Sequence, residues 1–315
     1  MIDVQRLVVL REVARAGSFA GAASALHHTP SAVSQQIAAL ERSTGAPLVE
    51  RSTRGVTLTQ AGRVLLAAAD AVHAELRAAE RQLRELQASG PRTLTVATFP
   101  SAGEPLLVPA LTQLAAARPD VEVTVVEAEP DDALAHLRTG GADLALVYHF
   151  HTRHPPGHWS TTAGPGTYTP LLDDHLRLLV PTTHRLARRS AVAVSDLAED
   201  RWVQGWGDTG AVLDALAAAG GFRPDVACRS SDYRFMAALV SAGVGVALIP
   251  RLALSDNPGA RALSVNPQPT RYVGAYQTRR RWTHPPADLL LTALHRQAAS
   301  LGDDRAATWH GAEPV

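Results

Sequence analysis

The sequence predicts an α/β protein with an all-α-rich N-terminal domain, and three observations carry that reading. Three runs of helical apolar spacing and a candidate hairpin fill the first 58 residues. A heptad seam then continues unbroken through 65–86, and from Thr93 strand-like and helix-like segments alternate. The 315 residues exceed the usual length of one compact unit, so divisions are expected at 1–58, 59–90, 91–301 and 302–315.

The first helix is expected over 3–16, with Val4, Leu7, Leu10 and Ala14 on one stripe and Gly17 as terminator. Ser18 then caps FAGAASAL, whose alanines and glycine let its backbone approach a neighbour closely. After two histidines, Thr29 is a good N-cap and Pro30 takes the first helical position, where its missing N–H costs nothing. In this third helix Val33, Ile37 and Leu40 face inward, leaving Ser31, Ala32, Ser34, Gln35 and Ala38 on the outer side. Gly45 ends it, and Leu48, Val49, Val56 and Leu58 flank a polar tip that reads as a β-hairpin, or wing.

Thr59 can cap a helix over 60–87 that contains no proline. Leu65, Ala69, Val72, Leu76, Ala79, Leu83 and Leu86 step alternately by four and three, so the helix is expected to pair with a second copy of itself rather than lie on its own domain. Beyond the breaker ASGPR come TLTVATF, a helix at 106–117, VEVTVVEA, a helix at 131–139 and DLALVYH, which imply a largely parallel sheet. The segment 151–167 reads as an irregular connection. LRLLVP, RWVQGW, DVACRS, GVALIP and YVGAYQT come next as strands, with helices at 211–219, 233–242 and 287–299 and a frayed tail. Two α/β lobes joined by crossing strands would leave a cleft for a small ligand.

Composition excludes several classes. Hydrophobic residues make up 46% and charged residues 19%, far from a disordered chain. No apolar run approaches the ~20 residues of a membrane span, no signal peptide is visible, and Cys228 is the single cysteine, so a reducing cytoplasm is expected. All 30 basic residues are arginine and balance 30 acids. The balance is uneven: residues 1–63 hold arginines at 6, 11, 15, 42, 51, 54 and 63 against Asp3, Glu12, Glu41 and Glu50, a basic segment suited to nucleic acid.

The stretch GSFAGAASALHHTPSAVSQQIAALERSTGAPLVERSTRGVTLTQAG closely resembles the DNA-binding signature of the LysR-type transcriptional regulators. Its tight helix pair, Ser34 and Ile37, Leu40 with Glu41, GAPLVER and LTQAG carry the match. The chain beyond the long helix looks like that family's two-lobed effector domain of periplasmic-binding-protein type, with GVGVALIP resembling a late strand. The resemblance implies a winged helix-turn-helix, a long linker helix and an effector domain. It implies double-stranded DNA as partner, no enzymatic activity, no cofactor, and a small-molecule effector of unknown identity. It also implies self-association through the linker helix into a dimer and then a tetramer, and leaves RNA polymerase open as a further partner.

The third helix would enter the major groove, making Thr29, Pro30, Ser31, Ala32, Ser34 and Gln35 the candidate DNA residues. Short side chains there permit close approach, and Ser and Gln can hydrogen-bond base edges. Gln35 stands where family members often have Arg or Lys, and Pro30 where Gln is common. Arg51 and Arg54 at the wing are candidates for phosphate or minor-groove contact.

On the ligand side, the loop TFPSAGEPLL offers Thr98, Ser101 and backbone N–H groups at a helix start, which favour an anion. Ser101 serves equally well as a simple helix cap. Tyr148, Gln204 and Asp232 stand where strands should open toward the cleft. His149, His151, His154 and His158 crowd HFHTRHPPGHW, but their spacing matches no common zinc module and no metal site is expected. No GxSxG elbow, P-loop, HExxH or glycine fingerprint supports an enzyme. A transport solute-binding protein is disfavoured by the N-terminal helices and the missing export signal.

Overall fold

The computed structural model describes residues 2–52, 55–87, 92–150, 155–278 and 285–303. Three helices open the chain: α1 (Val4–Ala16), α2 (Phe19–Leu26) and α3 (Pro30–Thr44). Each starts on a side-chain cap, since Asp3 accepts the N–H of Gln5, Ser18 that of Gly21 and Thr29 that of Ala32. Gly17 and Gly45 end α1 and α3 in the left-handed region, at φ 62° and 69°. Leu7, Leu10, Val13, Val33, Ile37 and Leu40 form the core between them. Val4 is 43% exposed, contrary to the expected stripe, because it stands in the first turn beyond the edge of that core; Val13, not Ala14, faces inward.

The hairpin of β1 (Val49–Ser52) and β2 (Gly55–Leu58) is fixed at its base. The Glu41 carboxylate accepts the N–H groups of Leu48 and Val49 at 2.8 and 3.3 Å. The Thr59 hydroxyl donates to the Pro47 carbonyl at 2.7 Å and accepts the Gly62 N–H at 2.9 Å, starting α4 (Gln60–Gln87). Gly62 is required there: a Cβ would lie 2.0 Å from the Leu48 carbonyl oxygen. Along α4, Leu65 and Ala69 pack on the N-terminal core, whereas Val72, Leu76 and Leu83 are 37%, 48% and 56% exposed. The seam is therefore uncovered over its later turns; the Leu86 side chain lies outside the described residues.

The remaining elements are β3 (Arg92–Thr98), α5 (Pro100–Ala102), a π turn at Gly103–Leu107, α6 (Val108–Ala117), β4 (Val121–Glu127), α7 (Pro130–Arg138), β5 (Leu144–His149), α8 (Trp159–Ala163) and β6 (Gly166–Pro181). Then come β7 (Ala191–Ala193), β8 (Arg201–Gly205), α9 (Gly207–Ala219), β9 (Asp225–Ser230), α10 (Tyr233–Ser241), β10 (Ala247–Pro250), β11 (Ala260–Asn266), β12 (Thr270–Thr278) and α11 (Pro285–Asp303). The main sheet runs β4-β3-β5-β12-β6-β11-β7 with β10 also on β6, and β8 pairs β9. It is mixed rather than largely parallel: β3 is parallel to β4 and β5, but β12 is antiparallel to β5 and β6, and β10 and β11 are antiparallel to β6.

Strand β6 holds the two lobes together. Up to His175 it pairs with β12 in lobe I; from Leu176 it pairs with β10, and from Leu178 also with β11, in lobe II. Its first two residues and the short helix α8 fall in the stretch expected to be irregular. Further along β6, Pro170 and two aspartates obscure the alternation, and a register shift at Val273/Gly274 accommodates Leu171 as an extra residue.

One buried carboxylate joins all three parts of the chain. Asp70 on α4 is 3% exposed and receives Arg11 Nε of α1 at 2.7 Å and the Arg138 guanidinium at the end of α7. Arg138 Nε also donates to the Thr162 carbonyl at 2.9 Å. Burial lowers the pKa of both arginines, so the shared carboxylate compensates two partly desolvated cations. Gly140, just past α7, sits so close to α4 that a Cβ would be 3.1 Å from Ala74 Cα.

Candidate DNA interface and ligand cleft

Thr29, Pro30, Ser31 and Gln35 are exposed on α3, and Ala32 and Ser34 are half-buried beside them. The Thr29 cap is shared, with its oxygen also 3.1 Å from the Ser31 hydroxyl. From the wing, Arg51 Nη2 donates to the Ser34 hydroxyl at 3.0 Å while its Cζ lies 4.6 Å from the centre of the Phe19 ring. Two of the candidate residues are thus brought together, and Phe19 is a holding surface that the sequence reading missed. Arg54 lies outside the described residues.

Between the lobes lies a cavity of about 400 Å³. Lobe I contributes Phe99, Pro100 and Ser101 after β3, Glu129 to Asp131 at the start of α7, Tyr148 at the end of β5, and Trp159. Lobe II contributes the loop from Gly205 to Thr209, then Ser230, Ser231 and Tyr233. Arg271 of β12 forms part of the lining; it is fully buried, and its Nε donates to Asp174 at 2.6 Å and its Nη2 to Ser101 at 2.8 Å. The Tyr148 hydroxyl donates to Glu129 at 2.9 Å, and burial together with that carboxylate raises its pKa above the ordinary phenol value.

Of the expected ligand residues, Ser101 and Tyr148 reach this cavity and three do not line it. Thr98 is buried, with its hydroxyl on the Phe99 carbonyl. The Gln204 amide is consumed within lobe II, donating to Gly210 and Asp214 and accepting from Arg229. Asp232 caps α10, accepting the N–H groups of Arg234 and Phe235. Among the described residues no group of three or more potential metal ligands occurs. His149 is buried edge-on against Trp159, His158 lies 3.9 Å from Asp131, and His151 and His154 fall outside the described residues.

Comparison with known proteins decides what this arrangement belongs to. Residues 4–63 match the bacterial regulatory helix-turn-helix of the lysR family, and residues 87–299 match the LysR substrate binding domain. The chain belongs to the LysR family of transcriptional regulators. This LysR-family regulator is 33% identical to a probable hydrogen peroxide-inducible genes activator of Mycobacterium avium, over 83% of each chain. It is 30% identical to the HTH-type regulator YcgK of Bacillus subtilis, over 86% of this chain and 87% of that one. Among solved structures, full-length OxyR of Pseudomonas aeruginosa superposes with a TM-score of 0.60 at 22% identity, over 93% of this chain and 95% of that one, a likeness of fold. The regulator is therefore a DNA-binding transcription factor and not an enzyme. No described helix is long and apolar enough to cross a membrane.

Glu129, Trp159, Trp206, Asp208, Tyr233 and Arg271 are among the wall residues that sequence reasoning missed. Glu129 and Asp208 had a usable signal, since each closely follows a strand at a helix start. Arg271 had none, because its position depends on a strand returning from far along the chain.

Proposed function

We propose that this LysR-family regulator reads double-stranded DNA with Thr29, Pro30, Ser31, Ala32, Ser34 and Gln35 of α3. In this reading Arg51 and Arg54 hold the phosphate backbone, and a small molecule in the inter-lobe cavity adjusts that binding. The carrying observation is the start of α3: exposed short side chains with Arg51 fastened to Ser34 and Phe19 beside them. Such an edge admits close approach to a groove, and a fixed guanidinium loses less freedom on meeting a phosphate than a mobile one. The divisions at 1–58, 59–90 and 91–301, pairing through α4 into a dimer and further into a tetramer, and a cytoplasmic location complete the proposal. A peroxide switch that closes an internal disulfide is disfavoured, because Cys228 is the single cysteine.

Titration of operator and random duplexes at several salt concentrations tests the reading. Arg51→Ala should weaken both duplexes and reduce the salt slope by about one phosphate contact. Gln35→Ala should weaken the operator more than the random duplex. Unchanged operator affinity in both variants would reject the assignment.

A further inference from the structure

Resting on the cavity as the effector site, we propose that it selects an organic cation: a protonated amine carried on an aromatic or bulky apolar body. Phe99, Tyr148 and Trp159 line it from lobe I, and Trp206 and Tyr233 from lobe II. The π-faces of such rings attract an ammonium group within about 6 Å of the centroid. The cavity wall already uses this, since Arg271 Cζ lies 5.1 Å from the Phe99 ring centre and 4.9 Å from that of Tyr148.

Charge points the same way. The formally charged wall residues are Glu129, Asp131 and Asp208 against Arg271, with His149 and His158 the histidines among them. Arg271 does not offset the carboxylates, because it is already paired with Asp174, which is itself 1% exposed. The starts of α7 and α9 offer about half a positive charge each. Asp131 and Asp208 place a full negative charge in those same first turns. At the start of α10, Asp232 does the same as its cap. The anion expected at Ser101 meets a hydroxyl that is already engaged, since its oxygen accepts from Arg271 at 2.8 Å.

A carboxylate entering this cavity meets three like charges and an arginine whose Nε and Nη2 already donate to Asp174 and Ser101. An ammonium group meets those carboxylates directly, between rings that replace its lost hydration. Glu129 is well placed to receive it, held by the Tyr148 hydroxyl at 2.9 Å at the edge of the aromatic wall. The cavity size suits a one-ring ligand.

Calorimetric titration of the full chain with 2-phenylethylammonium, 2-phenylethanol and 3-phenylpropionate varies charge at nearly constant shape. The ammonium should bind at least tenfold more tightly than the other two, and Glu129→Gln combined with Asp208→Asn should remove most of that preference. Trp206→Ala, at a 63% exposed position, should weaken the ammonium while leaving the circular dichroism spectrum unchanged. The proposal is overturned if the carboxylate binds as tightly as the ammonium, if the ammonium shows no saturable binding at millimolar concentration, or if the double variant keeps the preference. Carboxylate binding weakened by Trp206→Ala would reject the charge class and keep the cavity as effector site. Failure of all three probes and of a broad metabolite panel would remove the effector reading itself.

Discussion

Replacing Asp70 with Asn removes one negative charge with almost no change of shape, at the point where α1, α4 and α7 meet. The Asp70 side chain is 4% exposed, Arg11 19% and Arg138 27%. Removing one partner of a fully buried ion pair costs about 3–5 kcal/mol. Both arginines keep a path to water, and the asparagine oxygen can still accept one hydrogen bond, so about 2–3 kcal/mol is expected. Urea unfolding followed by far-ultraviolet circular dichroism measures the loss. A double-mutant cycle with Arg138→Met separates the contact between α4 and α7 from general damage, with a coupling of about 1–2 kcal/mol expected. Additivity of the two substitutions within about 0.5 kcal/mol would refute the argument, because independent residues do not share one charge.

The geometry leads to three further expected outcomes. Gly62→Ala drives a methyl group into the Leu48 carbonyl, which also accepts the Thr59 N–H at 3.0 Å, so it should cost about 2 kcal/mol or more and lower DNA affinity; an unchanged thermal midpoint would contradict this. Leu76→Arg, on the uncovered part of α4, should leave the stability of the separated chain within about 0.5 kcal/mol but weaken self-association in sedimentation equilibrium. An unaltered distribution of oligomers would count against the seam. Tyr148 and Tyr233 are held above the ordinary phenol value of about 10, chiefly by burial. The unfolded chain therefore releases these protons first, so the stability they confer is full below about pH 10 and declines as pH rises beyond it. Tyr148→Phe should flatten that alkaline decline, and an identical pH profile for both proteins would exclude Tyr148 as its source.

Local chemistry made the DNA-facing half legible. Caps such as Ser18 and Thr29, terminators such as Gly17 and Gly45, and the inward spacing of Val33, Ile37 and Leu40 act within a few residues, and the structure shows them so. The ligand cleft was legible only in place. That strands should open between two lobes is a matter of topology, but which side chain reaches the opening depends on competing partners. Gln204 and Asp232 were chosen for position and are held by groups of their own lobe. Trp159 was hidden in a segment rich in His, Pro and Gly. Asp70 gave no warning among the alanines of α4, because its partners Arg11 and Arg138 are 59 and 68 residues away.

The order of elements along β6, β12 and α11 also constrains how the chain can be made. The lobe I core joins Leu94, Leu107 and Leu144 to Leu290, Leu294 and Ala298 of α11, and Gln297 donates to the Pro105 carbonyl across 192 residues. The lobe II core draws on residues from 176 to 265, which lie between those two contributions. During synthesis lobe II can finish while lobe I still waits, its sheet lacking β12 and its apolar face lacking α11. The nascent regulator therefore exposes that face until α11 emerges, and a chaperone that shields apolar surface has its longest opportunity there.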